Sequence, residues 1–149
     1  MNTRSQLDIQ SLPLIHQGKV RDIYDISQEK MLIVTTDRIS AFDVIMHETI
    51  PHKGQVLNQM ASFWFKKIED IVPNHLTHEE VSHFVREDEA LRIKNRAVVV
   101  KKLIPIPIEA IVRGYIVGSG WKEYQKKQSI CNIDLPSGLK LASQLPKTI

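Results

Sequence analysis

The chain has a single cysteine, Cys131, so it can form no internal disulfide and offers no Cys cluster for zinc. The residue is expected to serve as a small, half-apolar filler. No continuous apolar stretch of the roughly 7 to 15 residues of a signal peptide opens the sequence, and no run is long enough to span a bilayer. A cytoplasmic protein without membrane contact is the expectation. No GxxxxGK[ST] loop occurs, which excludes a P-loop nucleotide site. HETIPH, residues 47–52, sets its histidines five apart around Pro51 and cannot form a helical zinc-protease pair. His75, His78 and His83 lack a carboxylate or cysteine at matched spacing and read as surface residues, not as a metal site. Aromatics are sparse, and the pairs Lys66/Lys67, Lys101/Lys102 and Lys126/Lys127 have no interleaved aromatic platform, so nucleic acid is not an expected partner.

What is present fits an ordinary globular chain: 149 residues, 42% hydrophobic and 25% charged, enough for one domain or one lobe of a larger one. The net charge of +3 is uneven, with 8 basic against 9 acidic residues in 1–75 and 12 against 8 in 76–149, a weak lean towards anionic ligands. Neither repeats nor low-complexity tracts interrupt it. Residues 12–17, 20–26 and 30–35 read as three strands of a meander, broken at Gly18 and at Ser27-Gln28-Glu29. Leu57, Met60, Ala61, Trp64 and Ile68 recur at helical intervals over residues 55–71, between Gly54 and Pro73-Asn74, and form a packing stripe. REDEALRIKN, residues 86–95, is too charged for core and reads as an exposed helical turn or loop before a strand over 97–102. Ile104-Pro105-Ile106-Pro107 is a stiff connector that leaves backbone groups free for a ligand. A strand over 108–115 and a helix over about 121–127, preceded by Gly118-Ser119-Gly120, complete the reading.

Three stretches carry chemistry. In HQGKVRDIYDI, residues 16–26, strand alternation puts Lys19 and Arg21 on one face, beside Gly18, whose missing side chain lets the backbone turn tightly and approach a ligand. Two cations over exposed backbone suit a polyphosphate; a plain hairpin turn with solvated cations is the alternative. TTDRISAFDVIM, residues 35–46, crowds Asp37, Arg38, Ser40 and Asp43 into a loop between apolar residues, an expensive arrangement unless those groups bind something or are paired, Asp37 with Arg38 or Lys53. In PIEAIVRGYIVGSGWKEY, residues 107–124, strand phase places Glu109 and Arg113 on one face flanking Ile111. Ser119 and the amides after Gly118 fall at a helix N-terminus, where Arg113 could share a phosphate or carboxylate.

GKVRDIY, TDRISAFD and PIEAIVRGYIVGSGWKEY, in this order and spacing, resemble the phosphoribosylaminoimidazole-succinocarboxamide synthase (SAICAR synthetase) family over nearly the whole chain. The resemblance implies an α+β fold: an antiparallel β-rich N-terminal lobe with a helix over residues 1–103, then the hinge and start of a second α/β substrate lobe over 104–149. It implies an ATP-dependent, amide-forming ligase of purine biosynthesis that joins L-aspartate to carboxyaminoimidazole ribotide, with Mg²⁺. On that basis Gly18, Lys19 and Arg21 lie over the ATP phosphates, and Ile104, Pro105 and Ile106 meet adenine, with either Lys101 or Lys102 facing the nucleotide. Ser40, Ala41 and Asp43 lie near the ribotide and aspartate pockets. Glu109 lies near the metal, and Arg113 and Ser119 bind the ribotide. The pattern departs at Val117, where the family usually has a small residue or Thr, and the chain ends at LPKTI before a TPxTK-like stretch and a DxKxEFG motif. Two readings stay open: part of a longer ligase, or a catalytically incomplete nucleotide-binding or interaction module. An uncovered apolar surface around Trp121 leads to an expectation of self-association.

Overall fold

A computed structural model describes residues 7–149, and the chain divides between Ile104 and Pro105 into two compact units. In the first, β1 (Leu14–Gln17), β2 (Arg21–Asp25) and β3 (Lys30–Thr35) form the expected antiparallel meander. A later strand, β6 (Ala97–Lys101), adds antiparallel to β3, giving the order β1-β2-β3-β6. The register pairs Asp22 with Val34 and Tyr24 with Leu32, and Leu32 in turn with Val99, so these side chains share one face. That face is the core: Tyr24, Leu32, Val34 and Val99 are buried with Ile9, Val85 and Ile93. Each such aliphatic side chain contributes about 1.5–3 kcal/mol on burial, which sets the register of the sheet.

Residues 35–46 are not a loop. β4 (Arg38–Ala41) and β5 (Val44–Thr49) form a separate hairpin whose two-residue turn has Phe42 at φ 50° and Asp43 at φ 66°. Paired positive φ values define a tight turn whose twist suits a hairpin, here adopted by residues other than glycine.

The first long helix, α1 (Lys53–Lys67), starts and stops earlier than the periodicity indicates, and its stripe is not packed: Leu57, Met60 and Trp64 are exposed. Its anchor is its first turn. A Cβ on buried Gly54 would stand 2.3 Å from the Thr35 carbonyl oxygen, so only glycine lets the helix start against the end of β3. Asp37 caps it from outside, accepting from the Gly54 amide at 2.8 Å and the His52 amide at 3.3 Å.

The charged segment 86–95 is likewise not simply exposed. It holds α2 (Glu87–Arg92), in which the Glu89 side chain is fully buried, followed by the core residue Ile93. The Glu89 carboxylate accepts from the amides of Gln10 (2.6 Å), Ser11 (3.3 Å) and Arg86 (3.3 Å) and from the Ser11 hydroxyl. Burial pushes this carboxyl up, but the Ser11, Gln10 and Arg86 hydrogen bonds and the Arg86 charge outweigh it, and the group lies below the ordinary glutamate range.

In the second unit the strand expected over 108–115 does not form. Residues 105–113 carry no regular structure; apart from a local bond from the Ile108 amide to the Ile106 carbonyl, backbone pairing among the described residues begins where the 142–149 segment supplies partners. Arg113 exchanges bonds with Ile149 at 2.7 and 3.1 Å, and Ile116 donates to Ser143 at 3.0 Å. Pro105 and Pro107 have no amide to donate, which keeps the stretch before them out of a ladder. The helix α3 spans Gly118–Lys127, starting at the glycine pair instead of after it. A short hairpin of β7 (Ser129–Ile130) and β8 (Ile133–Asp134) follows. Ile116, Tyr124, Ile130 and Leu145 form a small core. Trp121 stacks on Tyr124 at 5.7 Å and is half-buried, so it is not the open surface expected of it. Cys131 is exposed in the β7–β8 turn at φ 49°, not a filler. No helix among the described residues is long and apolar enough to cross a membrane.

Candidate functional site

The Gly18 turn and the hairpin tip, separate in sequence, are brought together. Gly18 closes the β1–β2 connection by donating to the Arg21 carbonyl at 2.7 Å, and a Cβ there would stand 3.0 Å from that oxygen. Lys19 lies in the turn ahead of β2, so strand alternation with Arg21 does not set its direction. Its Nζ meets Asp43 Oδ1 at 2.5 Å, joining a residue read as nucleotide-binding to one read as substrate-binding. Arg21 is exposed at the start of β2 and makes no ion pair among the described residues. Ser40 and Ala41 lie on β4, opposite Ile45 and Val44.

Beneath this turn sits an ion pair that sequence reasoning missed. Arg38 is held by Asp22 through Nη2–Oδ1 at 2.6 Å and Nη1–Oδ2 at 3.0 Å, with side chains only 13% and 5% exposed. The signal was available: DIYD alternates so that Asp22 shares a face with Tyr24, and a carboxylate on a core face needs a cation. Burial pushes the Tyr24 hydroxyl up, opposed by its bond with Ile9 and reinforced by the Asp22 charge. Asp37 pairs with neither Arg38 nor Lys53; Arg96 reaches it at 3.0 and 3.2 Å. Lys53 instead donates to the Arg38 carbonyl at 3.0 Å.

Of the two candidate lysines at the end of β6, Lys102 is bound to Asp25 at 2.6 Å, while Lys101 is exposed. Both line a cavity of 790 Å³ at the end of the sheet with Glu29, Lys30 and Glu79. A bond from Lys30, aided by Thr77, holds the Glu79 carboxyl below its ordinary range despite desolvation. A second cavity, 910 Å³, lies beside β6 between α1 and α2, lined by Phe63, Leu76, Val81, Leu91 and Val98; none of the sequence-predicted site residues reaches it. Ile104, Pro105 and Ile106 are exposed and irregular.

In the second unit Arg113 and Ser119 do meet. Arg113 Nη2 donates to Ser119 Oγ at 2.9 Å and Nη1 to the Val117 carbonyl at 3.4 Å. Gly120 makes room for the guanidinium, since a Cβ there would stand 3.2 Å from Nε. Val117 caps α3 with no side-chain acceptor, so the helix presents unpaired amides beside a guanidinium. Like poles converge there, an arrangement that an anion relieves. Glu109 does not share a strand face with Arg113; it is exposed in the irregular stretch. No three His, Cys, Asp or Glu side chains gather as a metal cage among the described residues. A lone exposed carboxylate fits Mg²⁺ only in the manner usual for that ion, with waters and substrate phosphates supplying most ligands.

An antiparallel sheet with helices defines an α+β protein. The SAICAR synthetase family model matches residues 14–149, and the chain belongs to that family. It is 58% identical over 141 residues to phosphoribosylaminoimidazole-succinocarboxamide synthase of Dechloromonas aromatica, covering 95% of this chain and 46% of that protein. It is 57% identical over 148 residues to the enzyme of the same name from Cupriavidus pinatubonensis, covering 99% and 49%. A solved SAICAR synthase from Saccharomyces cerevisiae, complexed with SAICAR, superposes with a TM-score of 0.86 at 41% identity, over 98% of this chain and 52% of that one. The chain thus spans about half the length of the relatives it matches.

Proposed function

We propose that this chain carries the phosphate-handling portion of a phosphoribosylaminoimidazole-succinocarboxamide synthase of purine biosynthesis. In that reaction ATP phosphorylates the carboxylate of carboxyaminoimidazole ribotide. The amine of L-aspartate then displaces phosphate, forming the amide of SAICAR and leaving ADP and phosphate. Phosphoryl transfer needs positioning and charge neutralisation more than a protein nucleophile, so the chain supplies donors and cations instead of a covalent intermediate. The Gly18–Lys19 turn and Arg21 take the nucleotide phosphates, and the exposed backbone at Ile104–Ile106 takes the base. Ser40, Ala41 and Asp43 face the ribotide and aspartate. Arg113 and Ser119, with the first amides of α3, hold the ribotide phosphate. Glu109 would contribute one ligand to Mg²⁺, which neutralises phosphate charge when bound.

The observation that carries this reading is the joining of Lys19 to Asp43, which puts two distant motifs of the family signature at one place on the first unit. The support from relatives is the family match and the product bound in the yeast protein. Thermal denaturation with Mg-ATP, and separately with SAICAR, tests binding: both ligands raise Tm if the reading holds. Aspartate-dependent ADP release then tests turnover. A chain whose Tm responds to neither ligand, and which releases no ADP, does not have this function.

A further inference from the structure

Arg38 has no part in the roles above, yet its side chain donates four hydrogen bonds, and two of them grip the Gly18–Lys19 turn. Its Nη2 donates to the Gly18 carbonyl at 2.9 Å and its Nε to the Lys19 carbonyl at 3.2 Å, while the remaining two hold Asp22. We propose that Arg38 is a positioning residue for nucleotide binding: it locks the turn so that the backbone amides of Lys19 and Val20 are offered to phosphate oxygens. The proposal rests on the reading of this turn as the phosphate loop.

The physical reason lies in the planarity of the peptide. In a trans peptide the carbonyl and the following N–H point in opposite directions. Pinning the Gly18 and Lys19 carbonyls to one guanidinium therefore turns the Lys19 and Val20 amides away from it. Neither amide donates a hydrogen bond among the described residues. The next carbonyl, of Val20, is pinned as well, by the Thr36 amide at 3.0 Å and the Thr36 hydroxyl at 2.9 Å. Successive amides directed outward form a concavity that suits an anion. The guanidinium cannot swing away from this duty, because Asp22 holds it bidentately on the core face of β2. Lysine would not substitute: a point charge cannot span a carboxylate and two carbonyls in the fixed geometry of a planar fork.

A purely stabilising ion pair exists nearby for comparison. Arg96 is as well buried, with 8% of its side chain exposed, and binds Asp37, but it braces the start of α1 and makes no bond to the turn. The experiment is isothermal titration of the 149-residue chain with Mg-ATP, alongside thermal denaturation, for wild type, Lys19→Met, Arg38→Lys, Arg96→Lys and the double variant Asp22→Asn/Arg38→Gln. The double variant keeps a neutral hydrogen-bonded pair in the buried site, so a folded protein without the guanidinium is available if Arg38→Lys fails to fold. Loss of charge-assisted bonds at the turn is expected to weaken Mg-ATP about tenfold or more in both Arg38 variants. Arg96→Lys, whatever its loss of Tm, stays within about twofold of wild type, as expected of a site that does not touch the ligand loop. Wild type that does not bind, or Lys19→Met that binds as wild type does, overturns the loop reading and the proposal with it. Weak binding by Lys19→Met beside wild-type binding by the Arg38 variants overturns the proposal alone. So does an Arg96→Lys loss that matches theirs, because affinity would then simply follow stability.

Discussion

Two arginines, one in each unit, meet their surroundings in opposite ways. Arg38 of the first unit spends its charge internally, on the buried carboxylate of Asp22, and its remaining donors on backbone carbonyls. Arg113 of the second is bonded only to neutral oxygens, a serine hydroxyl and a carbonyl, beside a helix start that adds further positive potential. The contrast extends to the units themselves. Among the described residues every ion pair lies in the first unit, several reaching into its interior, while the second is held by a small apolar cluster and backbone bonds. A neutralised arginine organises; one left uncompensated is available to bind. Burial and partner charge, more than residue type, decide which role an arginine takes.

The sharpest way to break this contrast is to remove the partner of the first arginine. Asp22→Ala strands a buried guanidinium and is expected to cost about 3–5 kcal/mol, read from urea unfolding; a loss below about 1 kcal/mol would place the pair with ordinary surface bridges. For the second arginine the expectation reverses. Arg113→Ala should leave unfolding nearly unchanged but weaken SAICAR binding by about 1.5–3 kcal/mol, roughly tenfold to over a hundredfold in Kd by titration. Undiminished affinity would make Arg113 a support for α3 and nothing more.

Acid titration sharpens the comparison from another side. Glu89 has its carboxyl lowered in the folded state, so its ionised form adds stability above the unfolded value, and that stability drains away as pH falls through the folded one. The stability advantage of wild type over Glu89→Gln should therefore shrink on acidification below about pH 4.3; a gap that widens there would reverse the sign. The smallest effect is expected at the exposed end of the site. Lys19–Asp43 has side chains 52% and 90% exposed, so Asp43→Asn should change stability by only about 0–1 kcal/mol. Its consequence belongs in ligand affinity, and a large loss of Tm would show the pair to be structural.

The meander, the strand after residue 96 and the existence of both longer helices were legible in the sequence because period-2 and helical periodicity are local signals. Where tertiary context competes, the local reading failed. Residues 86–95 look solvent-facing, yet Glu89 is drawn inside by amides contributed from residues 10 and 11, far away in the chain. Residues 35–46 look like a loop because a turn with Phe42 and Asp43 at positive φ lacks the glycine that marks such turns. The stretch over 108–115 has strand-like alternation but too few backbone partners to become one. Among the site residues, the Arg113–Ser119 meeting was legible because six residues of chain and one helix start separate them. The Arg38–Asp22 pair spans two strands and was not.

By itself, then, the sequence determined which family the chain belongs to, that a meander, a later strand and two longer helices form, and which cations and glycines are present in the three motifs. Tertiary structure alone decided which of those charges remain free. That depends on whether an opposite charge comes within hydrogen-bonding distance in a buried place, and such distances between remote residues are set by sheet register and helix docking, which no local pattern encodes.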